Sequence, residues 1–111
     1  MKKLITEVTG VVAAPVERVW PVLLENVPST ETGEHALAYQ GGWWYRGEWS
    51  LAPHPEGTRV VHRVYNVAEW LRWGVPLANR LFIGFGRRTR EGFAEGLTHI
   101  GAKLGCATRV T

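Results

Sequence analysis

Residues 43–51 and 58–70 each alternate between two faces, and the segment joining them, Pro53-His54-Pro55-Glu56-Gly57, consists largely of turn formers. Successive side chains of a strand point to opposite sides, and proline and glycine end a ladder, so the middle of this chain is committed to an antiparallel hairpin. In the first run Trp43, Tyr45, Gly47, Trp49 and Leu51 face one way, and Trp44, Arg46, Glu48 and Ser50 the other. In the second, Val60, His62, Val64, Asn66 and Ala68 share a face, opposite Arg59, Val61, Arg63, Tyr65 and Val67. The two arginines mark that second face as the wetter one. The hairpin therefore has an inward side rich in aromatic rings and a side that meets water.

The flanking segments supply the layers such a hairpin needs. Residues 3–13 (KLITEVTGVVA) favour a further strand. Pro15 suits the first turn of a helix, and Val16, Val19, Trp20 and Leu23 then recur at helical spacing, with Pro21 expected to kink the segment. Residues 26–34 (NVPSTETGE) read as a loop, and 35–40 as a short strand leading through Gly41-Gly42 into the aromatic run. From about Pro76 to Leu104 the period is 3.6. Phe82, Phe85, Thr89, Phe93, Gly96, Leu97, Ile100 and Leu104 fall in one arc, with Arg80, Arg87, Glu91 and Thr98 opposite. Gly92 and Gly96 flank that arc, where they would either let the helix approach the sheet closely or leave room beside it.

Composition narrows the partners. The chain has 111 residues, 45% hydrophobic and 21% charged, the profile of one ordinary globular domain spanning 1–111. A net charge of +3 leaves little excess with which to displace counterions from a phosphate backbone, so no nucleic-acid partner is expected. The basic run Arg87-Arg88-Thr89-Arg90 has Glu91 and Glu95 beside it and reads as a solvated helix face. Cys106 is the single cysteine, which fits a reducing, cytoplasmic setting. Met1-Lys2-Lys3 begins like a signal peptide, but Thr6, Glu7 and Thr9 stand where an apolar run is required, and no stretch approaches the ~18 apolar residues of a membrane span.

Three stretches resemble the START-like (SRPBCC) superfamily, which includes polyketide cyclase/dehydrase and lipid-transport families: Val11–Leu24 (VVAAPVERVWPVLL), Gly57–Val64 (GTRVVHRV) and Phe93–Leu104 (FAEGLTHIGAKL). The resemblance implies an α+β helix-grip fold, a curved antiparallel sheet with a long C-terminal helix packed across it and an apolar ligand held between the two. It covers about a third of the chain. Between the two helices there is room for about three strands where that family usually shows six. The sheet would thus be a shortened one, with its edge completed by a second subunit as a homodimer.

On this reading Trp43, Tyr45 and Trp49 form the wall of a cavity closed by Phe85, Thr89 and Phe93, with His62, Asn66 and Thr89 as the few polar groups that orient a ligand. The same aromatics would otherwise be plain core packing, and His62 and Asn66 plain core polar groups. No metal or other cofactor is expected, because His35, His54, His62 and His99 show no ligand spacing and Cys106 adds no partner. There is no Gly-x-Ser-x-Gly nucleophile motif, and Gly84-Phe85-Gly86 is not a dinucleotide fingerprint. Three functions stay open. One is a carrier of a small apolar or aromatic molecule. Another is a cyclase- or dehydratase-type enzyme in which His62 is the catalytic candidate, with Tyr45 beside it. The third is a protein-interaction module using Trp44, Trp70 and Trp73 and needing no cavity.

Overall fold

The computed structural model describes residues 3–41, 45–66 and 85–111, apart from the side chains of Lys3, Asn66 and Phe85. In chain order the elements are β1 (Lys3–Val12), α1 (Val16–Asn26), β2 (Glu31–Gly33), β3 (Ala36–Gly41), β4 (Tyr45–His54), β5 (Gly57–Asn66), α2 (Phe85–Leu104) and β6 (Thr108–Val110). The strands form one six-stranded sheet in the order β2-β3-β4-β5-β1-β6, every neighbour antiparallel. The chain is thus α+β, with two helices and one sheet among the described residues.

The hairpin forms as its alternation requires. Pro55 and Glu56 are the turn, His54 pairs with Gly57, and the register places Trp49 opposite His62 and Leu51 opposite Val60. Val60, His62 and Val64 are buried, while Arg59 is exposed and Val61, Arg63 and Tyr65 are half-buried on the other side. The hairpin tip is locked to the elbow between β1 and α1. The Thr58 hydroxyl donates to the Ala14 carbonyl at 2.7 Å, and the Ala13 amide donates to the Ala107 carbonyl at 2.9 Å.

Pro15 is the N-cap of α1, its carbonyl accepting from the Val19 amide at 3.1 Å, and the helix buries Val16, Val19 and Leu23. Pro21 lies within it, on the exposed side. In α2 the arc read from the sequence holds: Phe93, Leu97 and Ile100 are buried, and Arg87, Glu91 and Thr98 are exposed. The helix closes on Gly105 at φ 66°, with the Cys106 amide donating back to the Gly101 carbonyl at 3.0 Å, a Schellman arrangement. Arg18 of α1 caps the Leu104 carbonyl at 3.3 Å, and His99 bonds Asn26 at 3.1 Å, so the two helices are joined along their polar seam.

Several expectations are corrected. Residues 26–34 are not all loop, since Glu31–Gly33 pairs with Ala36–Ala38. Four strands, not three, stand between the helices among the described residues. The short strand of 35–40 runs instead over Ala36–Gly41, and β6 was not foreseen. The described helix begins at Phe85, and residues 76–84 of the expected helix lie outside the described residues.

Gly92 and Gly96 are not where helix and sheet meet, for a Cβ on either would have no neighbouring atom within 4 Å. The close approach is made by the sheet's own glycine. A Cβ at Gly10 would come within 2.4 Å of Leu97 Cδ1 and 3.1 Å of Phe93 Cε1. Nearer its start, α2 passes Thr6, whose Oγ1 would lie 3.4 Å from a Cβ on Gly86. From Thr6 to Gly10 is about 13 Å of strand, and from Gly86 to the Phe93–Leu97 turn about 13 Å of helix. The helix therefore lies lengthwise along β1.

Candidate functional site

The inner face of the sheet is a set of rows fixed by the registers. One row reads Leu37, Trp49, His62 and Val8 across β3, β4, β5 and β1, and the next reads Tyr39, Gly47, Val64 and Thr6. Two independent constraints bring His62 to this face. The two-residue turn sets it opposite Trp49, and the apolar neighbours Val60 and Val64 drag the odd-facing side of β5 toward water.

Trp49, His62 and Phe93 meet there. The indole and imidazole stack at 4.1 Å with 24° between planes, Trp49 and Phe93 lie 5.5 Å apart, and His62 and Phe93 lie 6.4 Å apart at 7°. These separations make a triangle, so no ring is sandwiched between the other two, and Trp49 leans over both partners. Aromatic pairs at such distances contribute about 0.5–1.5 kcal/mol beyond burial alone.

His62 is only 6% exposed, and its Nδ1 lies 3.1 Å from the Glu48 carbonyl oxygen. A carbonyl only accepts, so Nδ1 carries the proton and Nε2 is the bare acceptor. Burial holds the imidazole below the ordinary histidine value of 6.5, and the Glu48 bond offsets this only in part. Because the unfolded chain binds the proton more readily, stability falls as pH drops below 6.5 and levels off once the folded-state value is passed. Thermal melts between pH 8 and 5 are expected to show this loss, and His62→Gln is expected to flatten that part of the profile. An unchanged slope in the variant would place the titration elsewhere.

Beyond the triangle, Tyr45 and Tyr39 lie 6.2 Å apart, each ring over a glycine of its own strand. A Cβ on Gly47 would meet the Tyr45 hydroxyl at 2.7 Å, and one on Gly41 would meet Tyr39 Cε1 at 2.5 Å. Burial, and then the neighbouring Tyr39, push the Tyr45 phenol above its ordinary value of 10, so it is neutral at physiological pH. Tyr39 was not singled out in the sequence. The signal was there, since alternation from the buried Leu37 puts residue 39 on the same face.

Of the other residues expected at the site, Thr89 is half-buried one turn before Phe93, and no contact joins it to the triangle among those described. Trp43 lies outside the described residues, as do the side chains of Asn66 and Phe85. Trp44, Trp70 and Trp73, the surface aromatics of the interaction reading, also lie outside them. The register sets Asn66 opposite Tyr45, at the far end of the same face. Among the described residues no group of three or more His, Cys, Asp or Glu could hold a metal ion.

The outer face has different chemistry. Arg46 pairs with Glu48 at 2.9 Å and with Glu31, and Arg63 pairs with Glu7 at 2.6 Å. Ala36, Ala38, Arg46, Glu48 and Arg63 line a shallow hollow of about 230 Å³ there, whose two cations are both already paired. Arg87, Arg88 and Arg90 are exposed, with Arg87 bonded to Glu91 at 3.2 Å.

The class defined is an α+β chain of one antiparallel sheet with an aromatic, helix-covered face. Known proteins go no further: no family model, no curated protein and no solved structure matches it. No helix among the described residues is long and apolar enough to cross a membrane.

Proposed function

We propose that the protein binds a small apolar or aromatic molecule between the sheet and α2, against the wall made by Trp49, His62 and Phe93. The observation that carries this is the imidazole itself. It is buried among rings with one nitrogen fixed to the backbone and the other without a protein partner among the described residues. No buried side-chain nitrogen or oxygen among those residues is left unpaired, so the small accessible area of His62 includes that second nitrogen. An apolar wall carrying one oriented polar group has the chemistry with which a small-molecule site fixes its ligand.

The START-like, helix-grip reading of the fold belongs with this proposal. It is supported by the strand order, in which β1 closes against the last long hairpin strand and the terminal helix lies along it. Homodimerisation would have to use β2 or β6, the two edge strands, and each is only three residues long, a length that limits edge pairing. The enzyme reading would use the same Nε2 as a base, and turnover lost in His62→Gln would separate it from a carrier. Native mass spectrometry of freshly purified protein tests the proposal. One apolar molecule per chain, released on denaturation, is expected; a bare chain that also takes up no apolar probe in titration would refute it.

A further inference from the structure

We propose that the inner-face site selects a neutral apolar molecule carrying a hydroxyl or N–H group, whose hydrogen is accepted by Nε2 of His62. This rests on the binding reading above and adds the chemistry of the ligand. The backbone dictates the polarity. Glu48 belongs to β4, the strand opposite β5, and its main-chain carbonyl cannot turn into a donor. Nδ1–H is therefore committed, and Nε2 presents a lone pair and no hydrogen.

A lone pair in such a setting discriminates sharply. A ligand hydroxyl satisfies it. An ether or ketone of the same shape leaves it unsatisfied and adds an acceptor facing an acceptor. A carboxylate fares worse, because the row through His62 is otherwise Leu37, Trp49 and Val8 and supplies no cation. Sites built around one buried polar group reject analogues lacking the complementary atom more strongly than they reject a small change in apolar size.

The test uses three matched probes at pH 7.5: 2-naphthol, 2-methoxynaphthalene and 2-naphthoate, titrated calorimetrically into the intact protein. 2-Naphthol is expected to bind about tenfold more tightly than the ether, the size of one buried hydrogen bond, and the naphthoate most weakly. His62→Phe is expected to abolish the naphthol–ether difference while still binding the ether. Should that variant fail to fold, long-range proton–nitrogen spectra of the unaltered protein give the same answer. The His62 Nε2 signal is expected to be that of a bare nitrogen and to move with naphthol but not with the ether. Equal affinity for naphthol and ether, or tighter binding of naphthoate, would overturn the selectivity and leave the binding reading standing. Failure of all three probes to bind would overturn both.

Discussion

Gly57→Ala is expected to destabilise the protein by about 3–5 kcal/mol, the combination of backbone strain and steric overlap at one position. Gly57 has φ 144°, a conformation that residues with a Cβ rarely adopt. The added carbon would also lie 2.3 Å from the Val12 carbonyl oxygen and 2.7 Å from the Ala14 nitrogen. Both are main-chain atoms, so no side chain can rotate out of the way. Either the hairpin tip lifts from the β1–α1 elbow, which breaks the buried Thr58–Ala14 bond, or the elbow moves with everything it anchors. Gly105→Ala is the informative control. Its φ is also positive, at 66°, but nothing lies within 4 Å of its Cβ, so only the conformational cost of about 1–2 kcal/mol applies. Urea denaturation of the two variants should differ by about 1–4 kcal/mol, the strain common to both cancelling, and similar losses would mean that the elbow yields freely.

Phe93→Ala should cost about 3–5 kcal/mol, the usual range for removing a buried phenyl ring. Phe93 is 2% exposed and fills the space between Gly10 of β1 and the His62–Trp49 pair. Gly10 cannot rise to fill the gap, because β1 is held on both sides by β5 and β6. The loss should appear as a lower urea midpoint with an unchanged slope, since the surface exposed on unfolding is nearly the same. The variant should also lose affinity for 2-naphthol. Loss of stability alone, with affinity intact, would make Phe93 a core residue and nothing more.

What could be read from the sequence follows burial. β4 and β5 have one wet side and one dry side, so alternation located Trp49 and His62 on a common face. The two-residue turn at Pro55-Glu56 would even have paired them, since counting outward from His54 and Gly57 brings residue 49 opposite 62. The C-terminal helix was equally plain, because Phe93, Leu97 and Ile100 recur with its period. β2 and β6 were not. Glu31, Thr32 and Gly33 are all exposed, and their strand exists through main-chain bonds to β3, which leave no side-chain pattern. β6 likewise spans three residues beside Gly10–Val12. The role of Gly92 and Gly96 stayed open between close approach and free space for a related reason, and both stand beside free space. A sequence tells which residues lack a Cβ but not which of two packed elements uses the space, and here it is Gly10 of the strand. The tautomer of His62 depends on a carbonyl fourteen residues away in the chain, beyond any local motif.

The most direct measurement is amide NMR mapping during a titration with N-phenyl-1-naphthylamine, a neutral apolar probe bearing one N–H. The account predicts saturable shifts confined to the inner face and α2, centred on Trp49, His62, Val64, Phe93 and Leu97. Shifts centred instead on Arg46, Glu48 and Arg63 of the outer face, or none at all, would contradict it.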